Sequence, residues 1–275
     1  MKSLARLVLK NLSFLSKVNV SASIIYSLEI FLAALQGRGG GSGWDSLGQT
    51  RALASLVKVD GKLIVLDVGA NNGKWALDLS KNLENRISEF HLFECAPYCF
   101  LGLADSANRL PGARIVHKAV SDRSGTNSLY LPDTELGTGS GLASLHERKD
   151  SSVRSHTYRT IEVQTVSLDE YISENAISRV DILKIDVEGH ELAVLSGASR
   201  AISDRMIDCI FFEFGSGNVN SRTYFRDFWD LLSTAGYKFF RVLPGGRVLR
   251  IEKYFDSHEY FRGATNYICL LDGTE

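Results

Sequence analysis

The sequence predicts an α/β fold: a mostly parallel sheet with helices on both faces, an antiparallel C-terminal strand, and a helical appendage at the N-terminus. Three observations support this. From Leu63 onward, short Val/Ile/Leu/Phe runs recur, as expected of strands buried on both faces. Segments with helical spacing separate them, so the strands are joined by crossovers. Near the end the pattern changes to two extended pieces around a Pro-Gly-Gly turn, "YKFFRVLPGGRVLRIEKY", followed by a final apolar run, "NYICLLD". That change marks an antiparallel edge.

At the N-terminus, Lys2, Arg6, Lys10 and Lys17 precede "SASIIYSLEIFLAAL", a loose imitation of a signal peptide. Ser and Asn interrupt its first half, Glu29 lies inside the apolar part, and no clean cleavage site follows. The stretch is also shorter than the roughly 20 residues of a membrane span. One or two amphipathic helices are expected, docked on the domain, with a partner subunit or a membrane surface as the other options. The chain is accordingly placed in the cytoplasm, with membrane association left open. "QGRGGGSGW" (Gln36–Trp44) is a flexible joint, since consecutive glycines make a poor helix. The expected division is an appendage over residues 1–60 and one domain over 61–275.

Within the domain, strands are expected at Leu63–Val68, Glu89–Glu94, Ala113–Val120, Val180–Ile185 and Ile207–Phe214. Trp75, Leu79 and Leu83 give Lys74–Leu83 a helical face, and another helix begins at Leu192 and stops near Gly197. A polar, Ser-rich insertion between Ser124 and Tyr171 holds two extended pieces, "SLYLPD" and "YRTIEVQTVSL".

Composition narrows the function classes. Hydrophobic residues make up 44% of the 275 and charged residues 23%, as in ordinary globular proteins. A net charge of −1 without a long basic run argues against a nucleic-acid groove. The four cysteines form no C-x-x-C pair; Cys209 and Cys269 lie in apolar runs and read as buried hydrophobes of a reducing compartment.

In an open parallel sheet, ligands gather beyond the carboxyl ends of the strands. The first strand ends in Asp67-Val68-Gly69-Ala70-Asn71-Asn72-Gly73. A dinucleotide loop would be G-x-G-x-x-G, but Asn71 stands where the second glycine belongs and Lys74 where the third does. Gly69 and Gly73 still permit close approach, without room for a diphosphate. Asp67 would repel a phosphate and welcome an amino group. Glu94 ends the second strand about 20 residues on, where an acid can accept both ribose hydroxyls. Together these features describe a nucleoside bearing an amino acid, which is S-adenosylmethionine. Asp122 either accepts from the adenine amino group, with Ala119 and Val120 against the ring, or caps the turn before Gly125.

From about Ile64 to Leu271 the chain resembles the FkbM family of S-adenosylmethionine-dependent methyltransferases. The matching blocks, in the family's order, are "VLDVGANNG", "FECAP", "AVSD", "TVSLDEYI", "VDILKIDVEGHELAVLSGA" and "IFFEF". The resemblance implies a class I methyltransferase sheet, Rossmann-like and seven-stranded, in order 3-2-1-4-5-7-6 with the seventh strand antiparallel. It also implies O-methylation, often of a sugar or polyketide hydroxyl.

An alcohol is a weak nucleophile near neutral pH, so a base or a cation must help remove its proton. "KIDVEGHE" ends the fourth core strand and concentrates Lys184, Asp186, Glu188, His190 and Glu191. His190 is the expected general base, from its ordinary pKa. Asp186 and Glu188 are expected beside it, while Glu191 and Glu188 also suit a helix N-terminus. Asp186 and Glu213 end neighbouring strands and could share a hard cation such as Mg²⁺. The block is similar to metal-dependent macrolide sugar O-methyltransferases, in which an Asp at this strand end binds metal and a following His is the base; here Glu188-Gly189 intervenes. Acceptor selection is assigned to Gly141–Arg148 and Gly215–Phe228, which mix hydroxyls, amides, arginines and aromatics. The expected acceptor is a sugar or glycan precursor. A polyketide, a peptide or another small metabolite is the alternative, and a non-catalytic nucleoside-binding scaffold is the reading of a different class.

Overall fold

The computed structural model describes residues 22–39, 46–57, 61–84, 86–133, 139–149 and 157–273. The order of elements is α1 (Ala22–Leu35), α2 (Ser46–Leu56), β1 (Leu63–Val68), α3 (Lys74–Asn82), β2 (Ile87–Phe93), α4 (Phe100–Ala107), β3 (Ala113–Val116) and β4 (Ala119–Val120). Next come β5 (Gly125–Asp133), β6 (Thr157–Val166), α5 (Leu168–Glu174), β7 (Val180–Ile185), α6 (Glu191–Ser196), α7 (Ser199–Ser203) and β8 (Ile207–Gly215). The chain closes with α8 (Ser216–Ser221), α9 (Phe225–Thr234), β9 (Tyr237–Val242), β10 (Val248–Ile251) and β11 (Ala264–Leu271).

The main sheet has eight strands in the order β10-β9-β11-β8-β7-β1-β2-β3. β3, β2, β1, β7 and β8 are mutually parallel, and β11 is antiparallel to both β8 and β9. Counting β3, β2, β1, β7, β8, β11 and β9 reproduces the expected seven-strand order, and β10 adds an antiparallel eighth. Strand residues alternate between the two covered faces. Leu66, Leu183 and Phe212 pack into one core, and Val65, Ile182 and Phe211 into the other.

Two expectations are corrected. The run Ala113–Val120 is not one strand: the Lys118 N–H turns back to the Val116 carbonyl (2.8 Å), and β4 leaves to pair with β6. β4, β6 and β5 form a separate three-stranded sheet, so the insertion has its own β structure. The boundary at residue 60 also moves. Thr50, Ala52 and Leu53 of α2 are fully buried, and Asn82 Nδ2 donates to Thr50 Oγ1 (2.7 Å). α2 therefore belongs to the domain core. α1 touches the domain through Ala33 and the Glu29–Arg262 pair, while its large apolar side chains stay mostly exposed. The basic residues from Lys2 to Lys17 and the glycines after Gly39 in the joint lie outside the described residues.

Candidate active site

A cleft of about 350 Å³ opens at the carboxyl ends of β1, β2 and β7. Its first wall is the loop after β1. Gly69 has φ +79°, and a Cβ there would meet the Asp186 carbonyl oxygen at 1.9 Å. Only glycine lets the β1 and β7 loops lie so close. Asn71 also takes a left-handed conformation, φ 52°, which Asn tolerates better than most residues. Its N–H donates to Glu94 Oε2 (2.8 Å), while the Ala96 N–H donates to Glu94 Oε1 (2.8 Å). Glu94 is thus fixed at both oxygens by backbone N–H groups, with that of Cys95 contributing as well. Burial raises its pKa, and the backbone N–H groups oppose that rise.

Gly69, Asn71, Glu94, Ala119 and Val120 line the cleft, but three other expected cofactor residues do not. Gly73 sits at the start of α3, against Ser106. Asp122 accepts from Ser121 Oγ (2.9 Å). Asp67 is fully buried, 3.0 Å from Lys184 Nζ. The direct contact expected between Asp67 and a cofactor amino group is therefore corrected, because its carboxylate is spent behind the loop. Lys184 also donates to the Gly69 carbonyl (2.7 Å) and lies 3.6 Å from Asp186. Burial works to lower the Lys184 pKa, but the Asp67 and Asp186 carboxylates outweigh it and hold the ammonium charged.

The second wall follows β7. Glu191, expected near a helix terminus, is buried and accepts from the N–H groups of Val187 (3.1 Å) and Gly189 (3.0 Å) and from Asn218 Nδ2 (2.9 Å). It closes the loop that carries Asp186 and Glu188 and ties it to α8. Asp186 and Glu188 line the cleft, and Arg148 from the insertion is ion-paired with Glu188. Asp186, Glu188 and Glu213 each place one carboxylate oxygen within 4.8 Å of the others. Burial, then Asp186 and Glu188, push the Glu213 pKa well up.

His190 reaches the cleft wall but is 7% exposed, and both ring nitrogens are engaged. Nε2 lies 2.9 Å from Ser121 Oγ and Nδ1 3.0 Å from His146 Nε2. Ser121 gives its one hydroxyl proton to Asp122, so the network assigns Nε2–H as donor to Ser121 and Nδ1 as acceptor from His146. Burial, then His146, lower the His190 pKa to about 4, against a weaker pull from Asp122. A neutral imidazole with no free lone pair is poorly placed to take an acceptor's proton. The structure thus gives the expected general base, His190, two side-chain partners and no lone pair turned to the cleft.

Gly141, Ala143, Ser144 and Leu145 line the cleft as expected of the insertion, whereas none of Gly215–Phe228 does. Sequence reasoning placed Lys184 in the β7 cluster and His146 and Arg148 within Gly141–Arg148 but gave them no partners, and it did not single out Ser121. An arginine and a histidine in a Ser-rich insertion, and a lysine in an otherwise apolar strand, were the available signals. The cysteines are free thiols, and burial lifts those of Cys95 and Cys99 to about 12, leaving them protonated.

Residues 67–239 match the family described as the methyltransferase FkbM domain. The chain belongs to the FkbM methyltransferase family. It is 32% identical over 158 residues to the 31-O-demethyl-FK506 methyltransferase FkbM of Streptomyces tacrolimicus, covering 50% of this chain and 60% of that one. It is 27% identical over 155 residues to the hexuronic acid methyltransferase AglP of Haloferax volcanii, 56% of each chain. The matched segments thus span less than two thirds of these relatives' own lengths. Among solved structures, the FkbM methyltransferase of Methylobacillus flagellatus KT aligns with 90% of this chain and 60% of its own, at 13% identity and a TM-score of 0.49. The FkbM match takes in the β1 loop, Glu94, the β7 loop and Glu213, so both walls of the cleft lie inside it.

Proposed function

We propose that this FkbM-family chain is an S-adenosylmethionine-dependent O-methyltransferase acting on a hydroxyl of a sugar or glycan precursor. The observation that carries the reading is one cleft with Glu94 fixed at the β2 end and Asp186 and Glu188 at the β7 end. The residues fit the cofactor: Glu94 has acceptor capacity left for two ribose hydroxyls, and Phe93, Ala119, Val120 and Leu129 offer apolar surface to a purine. When bound there, the cofactor supplies a sulfonium-activated methyl for in-line transfer to an oxygen.

Asp186 is the residue assigned to take the acceptor's proton. It lines the cleft with its side chain 41% exposed. Burial and the neighbouring Asp186 and Glu188 charges push the Glu213 pKa well up, so Glu213 is the group of this cluster that favours a proton. Glu188 is held by Arg148 at the mouth, where it can orient an acceptor hydroxyl. His190, neutral and bonded on both sides, positions the loop. The sugar acceptor is supported by the likeness to a protein named as a hexuronic acid methyltransferase. The relative named for 31-O-demethyl-FK506 keeps a small metabolite as the alternative.

A second reading rests on the same three carboxylates, whose spacing suits a shared hard cation. A Mg²⁺ ion there would be held by Asp186, Glu188 and Glu213 and would stabilise an alkoxide. One assay tests both readings. Methyl-labelled S-adenosylmethionine is incubated with glycan precursors and, separately, with polyketide and peptide alcohols. Label entering only the latter refutes the sugar acceptor. Asp186→Asn is expected to lower kcat about 10²–10⁴-fold with little change in cofactor affinity. Near-normal kcat would remove Asp186 from the chemistry. Loss of wild-type activity to EDTA, restored by Mg²⁺, selects the metal reading.

A further inference from the structure

α1 carries an apolar face that the domain does not use. Ile24, Ile25, Leu28, Phe31, Leu32 and Leu35 are each between 52% and 59% exposed. At 100° per residue their directions fall within about 120° of one another, one continuous stripe. The other side of the helix meets the protein at a few points and is otherwise exposed: Ala33 is buried, and Arg262 pairs with Glu29 (3.2 Å) and lies over the Tyr26 ring at 4.5 Å, while Tyr26 and Ile30 stay exposed. The helix is therefore anchored by one side with its stripe turned outward.

The anchor lies on the rim where the cleft opens. β9 runs in the same direction as β8, because both are antiparallel to β11, so Val242 ends β9 at the sheet's carboxyl-end rim. Gly37, just past α1, packs against the Val242 carbonyl, and Gly39 against that of Arg262, two residues before β11. Arg38 Nη1 donates to the Tyr260 carbonyl (3.4 Å), and Tyr260 is itself 64% exposed, an aromatic of the kind that settles at a lipid–water boundary.

We propose that α1 docks on a lipid bilayer that bears anionic headgroups, lying in the plane of its surface. Charge selects this occupant. The sequence before Glu29 holds Lys2, Arg6, Lys10 and Lys17 and not one Asp or Glu, the combination of basic residues and apolar stripe that anionic membranes attract. Glu29 selects the orientation: a carboxylate within the helix, paired with Arg262 of the domain, is costly to carry into a hydrocarbon core, so the helix lies along the surface. No described helix is long and apolar enough to cross a membrane.

The full chain is sedimented with phosphatidylcholine vesicles, with and without phosphatidylserine. Wild type is expected to bind at least about tenfold better when phosphatidylserine is present, and to be released by high salt. The double substitution Ile25→Glu/Phe31→Glu is expected to abolish binding, while Leu101→Glu, at an exposed apolar position on α4, leaves it unchanged. Equal binding to phosphatidylcholine alone, or none to either vesicle, overturns the proposal on wild type alone, whatever the variants do. Vesicle binding that survives the double substitution also overturns it. So does a lipid-free dimer that the double substitution converts to monomer, because the stripe would then be covered by a second copy.

Discussion

On the β1–β2 side of the cleft, Glu94 bonds to backbone groups 23 and 2 residues away. On the β7 side, Glu188 pairs with a residue 40 positions away, His190 with partners 69 and 44 away, and Glu191 with one 27 away. The first wall is built by two successive strands and the turns that leave them. The second is stitched by side chains from β7, β4, the insertion and α8. A cofactor common to a whole fold class can be held by backbone geometry that tolerates sequence change. A wall drawn from separate segments can change partner by partner, at the cost of needing all of them in place.

The largest expected effect joins the two walls. Lys184 ties Asp67 and the Gly69 carbonyl to Asp186. Lys184→Met should leave Asp67 buried and uncompensated, lowering unfolding free energy by about 3–5 kcal/mol. Urea denaturation checks this, and a loss under about 1 kcal/mol would mean the loops are held without it.

Acid should loosen the second wall. The His190 pKa falls from 6.5 to about 4 on folding, so between those values the unfolded chain binds the extra proton. The stabilising contribution is complete above pH 6.5 and declines as pH falls toward 4, by up to about 3 kcal/mol at 1.36 per unit. His190→Gln should flatten that part of the stability–pH curve relative to wild type. Parallel curves would show that burial of His190 costs the fold little.

The smallest effect belongs to the first wall alone. Glu94→Ala should weaken cofactor binding by at least about tenfold, as charge-assisted hydrogen bonds are worth about 1.5–3 kcal/mol each. Calorimetry measures it, and the thermal midpoint should shift little. Wild-type affinity would place the ribose elsewhere.

The same contrast explains what could be read in advance. β1, β7 and β8 were legible to within a residue because both faces of a central parallel strand demand apolar residues, leaving an unbroken signal. Glu94 and the Gly69 turn were legible because their partners lie one strand away. Asp67 was misread: a carboxylate at a strand end looks available until the lysine of the neighbouring strand is placed beside it. The partners of His190 were hidden for the same reason. Nothing in "KIDVEGHE" shows that His146 and Ser121 occupy both ring nitrogens.

Hydrophobic patterning and turn chemistry, which act over a few residues, were enough by themselves to determine the parallel sheet, its antiparallel edge and the place of the glycine turn after β1. Tertiary structure decided which charged groups are buried, which are free to face the cleft, and that the apolar stripe of α1 points outward while α2 enters the core. Desolvation and pairing depend on what lies across space. Two helices of similar length in one sequence can therefore meet opposite fates.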